Sequence, residues 1–309
     1  MRQLTPNSGL GLPHEYPDTA ESDHSEPVAL GSSEPVAMSS SEPVALPSMV
    51  ETAARTHNAD FRWKDFSSQD YWHRNYKKVL PPDREIIRLV GSFFSETLHG
   101  HARVQRAIDV GSGTNLYPAL LMLPWTEQIL LTDYSESNVQ WLRRQVMDDD
   151  AAWTWQPFWQ ELQALKGYDQ VSEPHKQLRV ACTGQDRECA IEEYSVFDLP
   201  AAQWQLGTMF FVAESITRDP REFDKAIGRF VGALERHSPF AAAFMKGSEG
   251  YPVGDVTYPA LPVTADDISE HFTRRHRVSE LNVKEFEPSQ LVRDGYEGMI
   301  VATGITGDH

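Results

Sequence analysis

Apolar and polar positions along the chain set a helical rhythm first, and then short apolar runs alternate with helical stretches. In "FSSQDYWHRNYKKVL", Tyr71, Trp72 and Tyr76 lie on overlapping helical faces, which predicts a short amphipathic helix opening a folded body. "DREIIRLVGSFFSETL" keeps a period near 3.6 and predicts a second helix over 83–98. "RAIDV" then reads as a short buried strand, "LYPALLML" as a helix, and "QILLTD" as a strand ending in Asp133. "SESNVQWLRRQV" is a helix with Ser135 as its N-cap. Residues 151–189 form a longer insertion rich in Trp153, Trp155, Phe158 and Trp159, whose three tryptophans read as packing. "AIEEYSVFDL" and "QLGTMFFVAE" give a third and a fourth strand. In "DPREFDKAIGRFVGALER" Asp219 caps a helix, Pro220 takes its first turn, and Glu222 sits at the third position. "PFAAAFMKG" is a fifth strand, and "YPVGDVTYPAL" a hairpin turning at Gly254 and Asp255. A helix from Ala265 and two last strands, ending in "GMIVATG", close the pattern.

Strand and helix alternating in this way predict an α/β fold with a mostly parallel sheet covered on both faces. Ligands in such sheets bind beyond the carboxyl ends of the strands, at the switch point. Residues 1–57 are of another kind. "SEPVALGSSEPVAMSSSEPVALPS" repeats a unit with Glu26, Glu34 and Glu42 eight apart, each followed by Pro. Pro, Ser, Glu and small apolar residues cannot bury enough surface to offset ordering entropy, so a disordered tail is expected there and a folded domain over 58–309.

Composition narrows the partners. The formal charge of the 309 residues is −17, which argues against nucleic acid and anionic membrane. No charged-then-apolar start and no apolar run near 18 residues occur, so neither a signal peptide nor a membrane span is expected. Cys182 and Cys189 are the two cysteines, read as reduced thiols of a cytoplasmic protein rather than a disulfide or zinc site. His99 and His101 have no third ligand near in sequence and read as loop residues.

The chemistry gathers at "AIDVGSGTNLYPALLML", residues 107–123. Gly111 and Gly113 let the backbone bend sharply and approach a ligand with no side chain between. Asp133 ends the next strand, about twenty residues on, where a carboxylate can accept both hydroxyls of a ribose. This spacing serves dinucleotides and S-adenosyl-L-methionine (SAM) alike. The dinucleotide fingerprint wants a third glycine where Leu116 stands. Asp109, just before the bend, favours a ligand carrying a cation, such as a sulfonium with an ammonium group.

"DYWHRNY", "IDVGSGTNLY" and "LTDYSESN" together resemble a bacterial-type member of the nicotinamide, phenylethanolamine and indolethylamine N-methyltransferase family, over roughly residues 66–305. The resemblance implies a Rossmann-like class I methyltransferase with SAM as cofactor. Its seven-stranded, mostly parallel sheet would follow an N-terminal helical lid over 58–100, with the catalytic core over 101–309. By matching position, Tyr71 and Tyr76 resemble the lid tyrosines. Gly111, Ser112, Gly113, Asn115 and Tyr117 resemble the loop at the methionine end. Asp133 is similar to the ribose acid, with Tyr134 flanking the adenine and Asn138 near the adenosyl group. Ser195 and Val196 fall where the family has an Asp-Val pair by the adenine, serine being a departure. Thr208 matches a threonine of the fourth strand.

On the acceptor side, Tyr251 matches the family's tyrosine before the hairpin, while Met245 or Lys246 stands at the place of an acid used on nicotinamide. A lysine there suits an anionic acceptor better than a neutral amide. Glu214, in "FFVAES", would anchor an amine or take its proton; its other reading is a surface acid. The expected function is methyl transfer to the nitrogen of a small-molecule amine or heterocycle, with Glu214, Tyr71 and Tyr251 as the catalytic candidates and a monomer as the working form. Two alternatives keep the same cofactor. One is a lyase closing SAM on itself to azetidine-2-carboxylate and methylthioadenosine, with Tyr134, Asn138 and Tyr168 holding the amine. The other is a non-catalytic SAM-binding protein.

Overall fold

In the computed structural model the described residues are 56–148, 153–183, 189–276, 278–287 and 296–308. The repeat tail expected over 1–57 lies, up to residue 55, outside them. The strands are β1 (Val104–Val110), β2 (Thr126–Asp133), β3 (Ile191–Glu193), β4 (Leu206–Phe210), β5 (Pro239–Lys246), β6 (Gly250–Val253), β7 (Val256–Pro259), β8 (Ser279–Phe286) and β9 (Gly298–Ile305). Seven of them form one sheet in the order β3-β2-β1-β4-β5-β9-β8, and β6 and β7 make a separate hairpin. The five strands from β3 to β5 in that order are parallel, while β9 and β8 join antiparallel.

The helices are α1 (Ser68–Asn75), α2 (Pro81–Leu98), α3 (Tyr117–Met122), α4 (Glu136–Met147), α5 (Gln156–Gln163), α6 (Pro174–Ala181), α7 (Pro220–Ala233) and α8 (Ala265–Glu270). Side chains alternate along the central strands, as a sheet covered on both faces requires. On β5, Ala241, Ala243 and Met245 join the core with α2 and α3, while Phe240, Ala242 and Phe244 join the core with α7. The helix predicted at Asp83 begins two residues earlier, with Pro81 in the first turn where a missing N–H costs nothing. Trp155 and Trp159 are fully buried, as packing residues should be. His175 stacks on Trp153 with ring centroids 4.5 Å apart.

Four local expectations change. The third strand is short: β3 pairs only as far as Asp133↔Glu193, and Ser195 then caps a 3-10 turn over Val196–Asp198. The fourth strand stops at Phe210 because Phe211 turns into the left-handed region at φ +60°. Ser135 does occupy the N-cap position of α4, but its hydroxyl donates to Trp63 O at 3.0 Å instead of accepting from its own helix. Glu222 likewise is not closing a capping box; it accepts from Asn58 N (2.8 Å) and Thr217 Oγ1 (2.6 Å).

Candidate active site

The chain leaves β1 towards β2 and β3, then returns to β4 on the other side. That divergence opens a cavity beyond the carboxyl ends of the parallel strands. Its floor is the loop Gly111–Asn115 after β1, and one wall is Asp133, Tyr134 and Asn138 after β2. Tyr194, Ser195, Val196 and Phe197 follow β3 on that side, and Phe210, Phe211, Val212 and Ile216 follow β4 on the other. The roof is Asn58, Trp63, Phe66, Tyr71 and Tyr76, with Tyr251 of the hairpin.

The two glycines do different work. Both are left-handed, Gly111 at φ +64° and Gly113 at φ +57°. A Cβ on Gly111 would meet Val212 Cγ2 at 2.5 Å, so that residue must be glycine to pack against the start of the next wall. A Cβ on Gly113 would find nothing closer than 3.8 Å, and it would stand on the cavity floor. Here the missing side chain leaves open space in the cavity rather than room for packed protein.

Asp133 binds this floor to α4. Its Oδ2 accepts from Gly113 N (2.9 Å), and its Oδ1 accepts from Ser135 N (2.8 Å) and Asn138 Nδ2 (3.1 Å). Three of its roughly four acceptor positions are thereby taken. A two-point grip on a diol therefore needs one of these donors to yield, a condition the sequence did not reveal. Burial pushes its carboxyl above the ordinary value, and the hydrogen bonds from Ser135, Asn138 and Gly113 oppose that. Behind the floor, Asp109 is buried and accepts from Thr208 Oγ1 at 2.7 Å. Burial raises its carboxyl to about 7.

The N-terminal segment is held down over the cavity. Ser137 Oγ donates to Phe66 O (2.8 Å), Tyr258 OH to Arg62 O (3.2 Å), and Arg74 Nη1 to Pro252 O (2.8 Å). Ser68 Oγ donates to Asn138 Oδ1 (2.8 Å), and Asn138 in turn donates to Asp133, so the roof and the acid share one hydrogen-bonded chain. Aromatic rings face one another across the roof: Tyr71 lies 6.1 Å from Tyr76, 6.0 Å from Tyr251 and 5.2 Å from Phe66, centroid to centroid.

Of the residues singled out from sequence, Tyr71, Tyr76, Gly111, Ser112, Gly113, Asn115, Asp133, Tyr134, Asn138, Ser195, Val196 and Tyr251 line this one cavity. Tyr117, Thr208 and Glu214 do not. Tyr117 lies beneath it, stacked on Phe158 at 5.6 Å, and Thr208 holds Asp109. Glu214 is fully buried, which removes its reading as a surface acid. Its Oε1 accepts from Met245 N and Ser215 Oγ, both at 3.0 Å, tying the end of β5 to the segment after β4. Tyr251 donates its hydroxyl to Ser215 O at 3.2 Å. Lys246 is also placed otherwise than expected: its Nζ pairs with Glu285 Oε2 at 2.8 Å, and it does not line the cavity. Tyr168 is buried elsewhere, donating to Leu121 O at 2.7 Å.

Asn58, Trp63, Phe66, Phe210 and Phe211 are wall residues that the sequence reading passed over. The aromatics of "FRWKDF", just ahead of α1, were the available signal for two of them. Among the described residues no helix is long and apolar enough to cross a membrane.

This chain is similar to several known proteins. Human nicotinamide N-methyltransferase is 24% identical over 207 residues, 64% of this chain and 76% of that protein. The N-methyltransferase NodS from Bradyrhizobium japonicum WM9, solved with S-adenosyl-L-homocysteine, has a TM-score of 0.47 at 10% identity, covering 77% of this chain and 93% of that one. The 1,6-didemethyltoxoflavin-N1-methyltransferase of Burkholderia thailandensis has a TM-score of 0.45 at 12% identity, covering 87% and 94%. The NNMT/PNMT/TEMT family matches residues 54–303, so this chain belongs to that family and is a SAM-dependent N-methyltransferase.

Proposed function

We propose that the enzyme methylates a flat, uncharged small molecule at a weakly basic nitrogen, an aromatic amine or N-heterocycle, and that the cavity described above holds both SAM and that acceptor. The observation that carries this reading is the lining itself. Among the described residues Asp133 is its one charged residue, no lysine, arginine or histidine lines it, and seven of its side chains at the roof and β4 wall are aromatic: Trp63, Phe66, Tyr71, Tyr76, Phe210, Phe211 and Tyr251. An anionic acceptor would meet no cationic side chain among the described lining residues, and burying it so would be costly. An aliphatic ammonium would need a base, and Asp133 is already engaged by three donors.

The residues present fit SAM. Thr114 Oγ1 and Asn115 Nδ2 are buried at the floor with no hydrogen-bond partner among the described residues, and the ammonium and carboxylate of an amino acid would supply one to each. Asp133 would accept from the ribose as Asn138, the one side chain among its donors, turns aside. Tyr134, Ser195 and Val196 would flank the base. SAM supplies an activated methyl group on a cationic sulfur. Tyr71 and Tyr76 present aromatic faces suited to a buried cation, an attraction worth about 0.5–2 kcal/mol. The pinned roof excludes water and aligns the acceptor, the main contribution a protein makes to such a displacement. Glu214 acts by fixing the ends of β4 and β5.

The test is product analysis of the full chain with SAM, alone and with a panel of arylamines, N-heterocycles, aliphatic amines and amino-carboxylates. S-adenosyl-L-homocysteine formed with the first two classes is the result expected. Turnover confined to carboxylates, or methylthioadenosine formed from SAM alone, would overturn it.

A further inference from the structure

A second constellation lies on the opposite core layer, away from the methyl-transfer cavity. α8 does not stop at Glu270 but runs into a π-helical turn, His271–Arg275. There His276 N donates to His271 O, five residues back, at 3.2 Å. An α-helix would place residues five apart on different faces, whereas the wider turn stacks them. Both rings are consequently directed at α7. The chain is thus bent out of its ordinary helix at the point where two histidines meet one carboxylate.

Asp224 supplies that carboxylate. Its Oδ1 lies 2.7 Å from His271 Nδ1 and 3.4 Å from His276 Nε2. Gly228, one turn further along α7, makes the space: a Cβ there would meet His276 Cε1 at 2.7 Å. Phe223 sets its ring edge-on to His271 at 5.0 Å. The three side chains are mostly sheltered, 15%, 18% and 29% exposed for His271, His276 and Asp224. The three ligand atoms all lie within 4.8 Å of one another.

We propose that Asp224, His271 and His276 form a binding site for a borderline divalent transition-metal ion, Zn²⁺ being the natural candidate. Metal–ligand bonds of about 2.0–2.1 Å set tetrahedral ligands about 3.3 Å apart. The distances from Asp224 Oδ1 already bracket that spacing, so small side-chain adjustments admit the ion. Two imidazoles and one carboxylate are a donor set such ions accept, and a fourth position is left for water. Arg275 Nη1, 3.4 Å from Asp224 Oδ2, occupies the other oxygen; it limits Asp224 to one metal bond and orients it. None of the three residues lines the cavity assigned to methyl transfer, so the site stands independently of the acceptor proposed above.

The experiment is equilibrium binding of Zn²⁺, with Co²⁺ as a spectroscopic probe, to the full chain after chelator treatment. One saturable ion per chain is expected. His271→Gln and His276→Gln should each weaken it at least about 10-fold, the least that loss of a supporting residue costs a metal site. Gly228→Ala, which pushes the His276 ring aside without touching a ligand, should weaken it as well. A His14→Ala/His24→Ala variant should bind as the parent does. Circular dichroism checks that each variant is folded. Should a glutamine variant fail to fold, Gly228→Ala and the Co²⁺ spectrum of the parent decide, the latter showing tetrahedral bands with nitrogen ligands. No saturable binding by the parent would overturn the proposal and leave a hydrogen-bonded trio only. Binding unchanged by both glutamine variants would overturn it equally.

Discussion

The loop after β1 offers a dissection of what each glycine does. Gly111→Ala places a methyl group 2.5 Å from Val212 Cγ2 and 2.9 Å from Cγ1, in a backbone held at φ +64°. The left-handed conformation alone costs a residue with Cβ about 1–2 kcal/mol. Forcing a methyl into packed surroundings adds about 1–3 kcal/mol. The sum, about 2–5 kcal/mol, is a large share of the stability of an ordinary domain. Gly113→Ala carries the same conformational cost at φ +57° but no clash, its nearest neighbours being Asp133 Oδ2 and Gly111 O at 3.8 Å. Its methyl stands instead where the ligand would lie. Urea unfolding and calorimetric titration with S-adenosyl-L-homocysteine separate the two. Gly111→Ala should lose the more stability, and Val212→Ala added to it should restore the packing part. Gly113→Ala should lose only about 1–2 kcal/mol of stability yet lose affinity disproportionately. If Gly113→Ala proves the more destabilising, or if Val212→Ala fails to rescue Gly111→Ala, the assignment of one glycine to packing and the other to the ligand is wrong.

Tyr71→Ala should weaken binding of SAM more than that of S-adenosyl-L-homocysteine, by a differential of about 0.5–2 kcal/mol, because only the former carries a sulfonium; equal losses would remove the cation–π role. Asp109 and Asp83 are both buried, and burial raises each from 3.8 to about 7. The folded state therefore binds more protons than the unfolded chain between those values. Their contribution to stability is greatest below pH 4 and is lost as pH rises through 7. Asp109→Asn, in which the side-chain oxygen can still accept from Thr208, should flatten that slope when unfolding midpoints are compared at pH 5 and 8; a steeper slope would contradict it. Glu214→Gln should lower stability while leaving kcat near the parent's, since its Oε1 ties Met245 N to Ser215 Oγ and the residue does not line the cavity. A fall in kcat on the order of 10²–10⁴ would instead make it a proton-transfer residue.

What could be read from the sequence was what repeats or acts locally. Buried strands such as "RAIDV" and "PFAAAFMKG" announce themselves by apolar runs, and a glycine bend followed by an acid at the next strand's end is a spacing. What could not be read depends on distant partners. Glu222 is a good capping residue locally, but Asn58 and Thr217 claim its carboxylate. Ser135 is a good N-cap locally, but Trp63 O takes its hydroxyl. Phe211 adopts a backbone conformation that nothing in a bulky aromatic residue advertises. Lys246 does stand at the end of β5, yet it pairs with Glu285 on β8 and does not line the cavity. The same holds for His271 and His276, whose five-residue spacing brings them together only because the helix widens.

In the proposed complex the adenosyl group is held between the Gly113 floor and Asp133. Calorimetric titration of SAM into the parent and into Asp133→Asn tests it most directly. The substitution keeps the size of the side chain but turns one acceptor oxygen into a donor facing Gly113 N or the Ser135 and Asn138 donors. Measurable heat is expected with the parent, and at least a 10-fold weaker complex, about 1.4 kcal/mol, with the variant. Equal affinities in a variant that remains folded would contradict it.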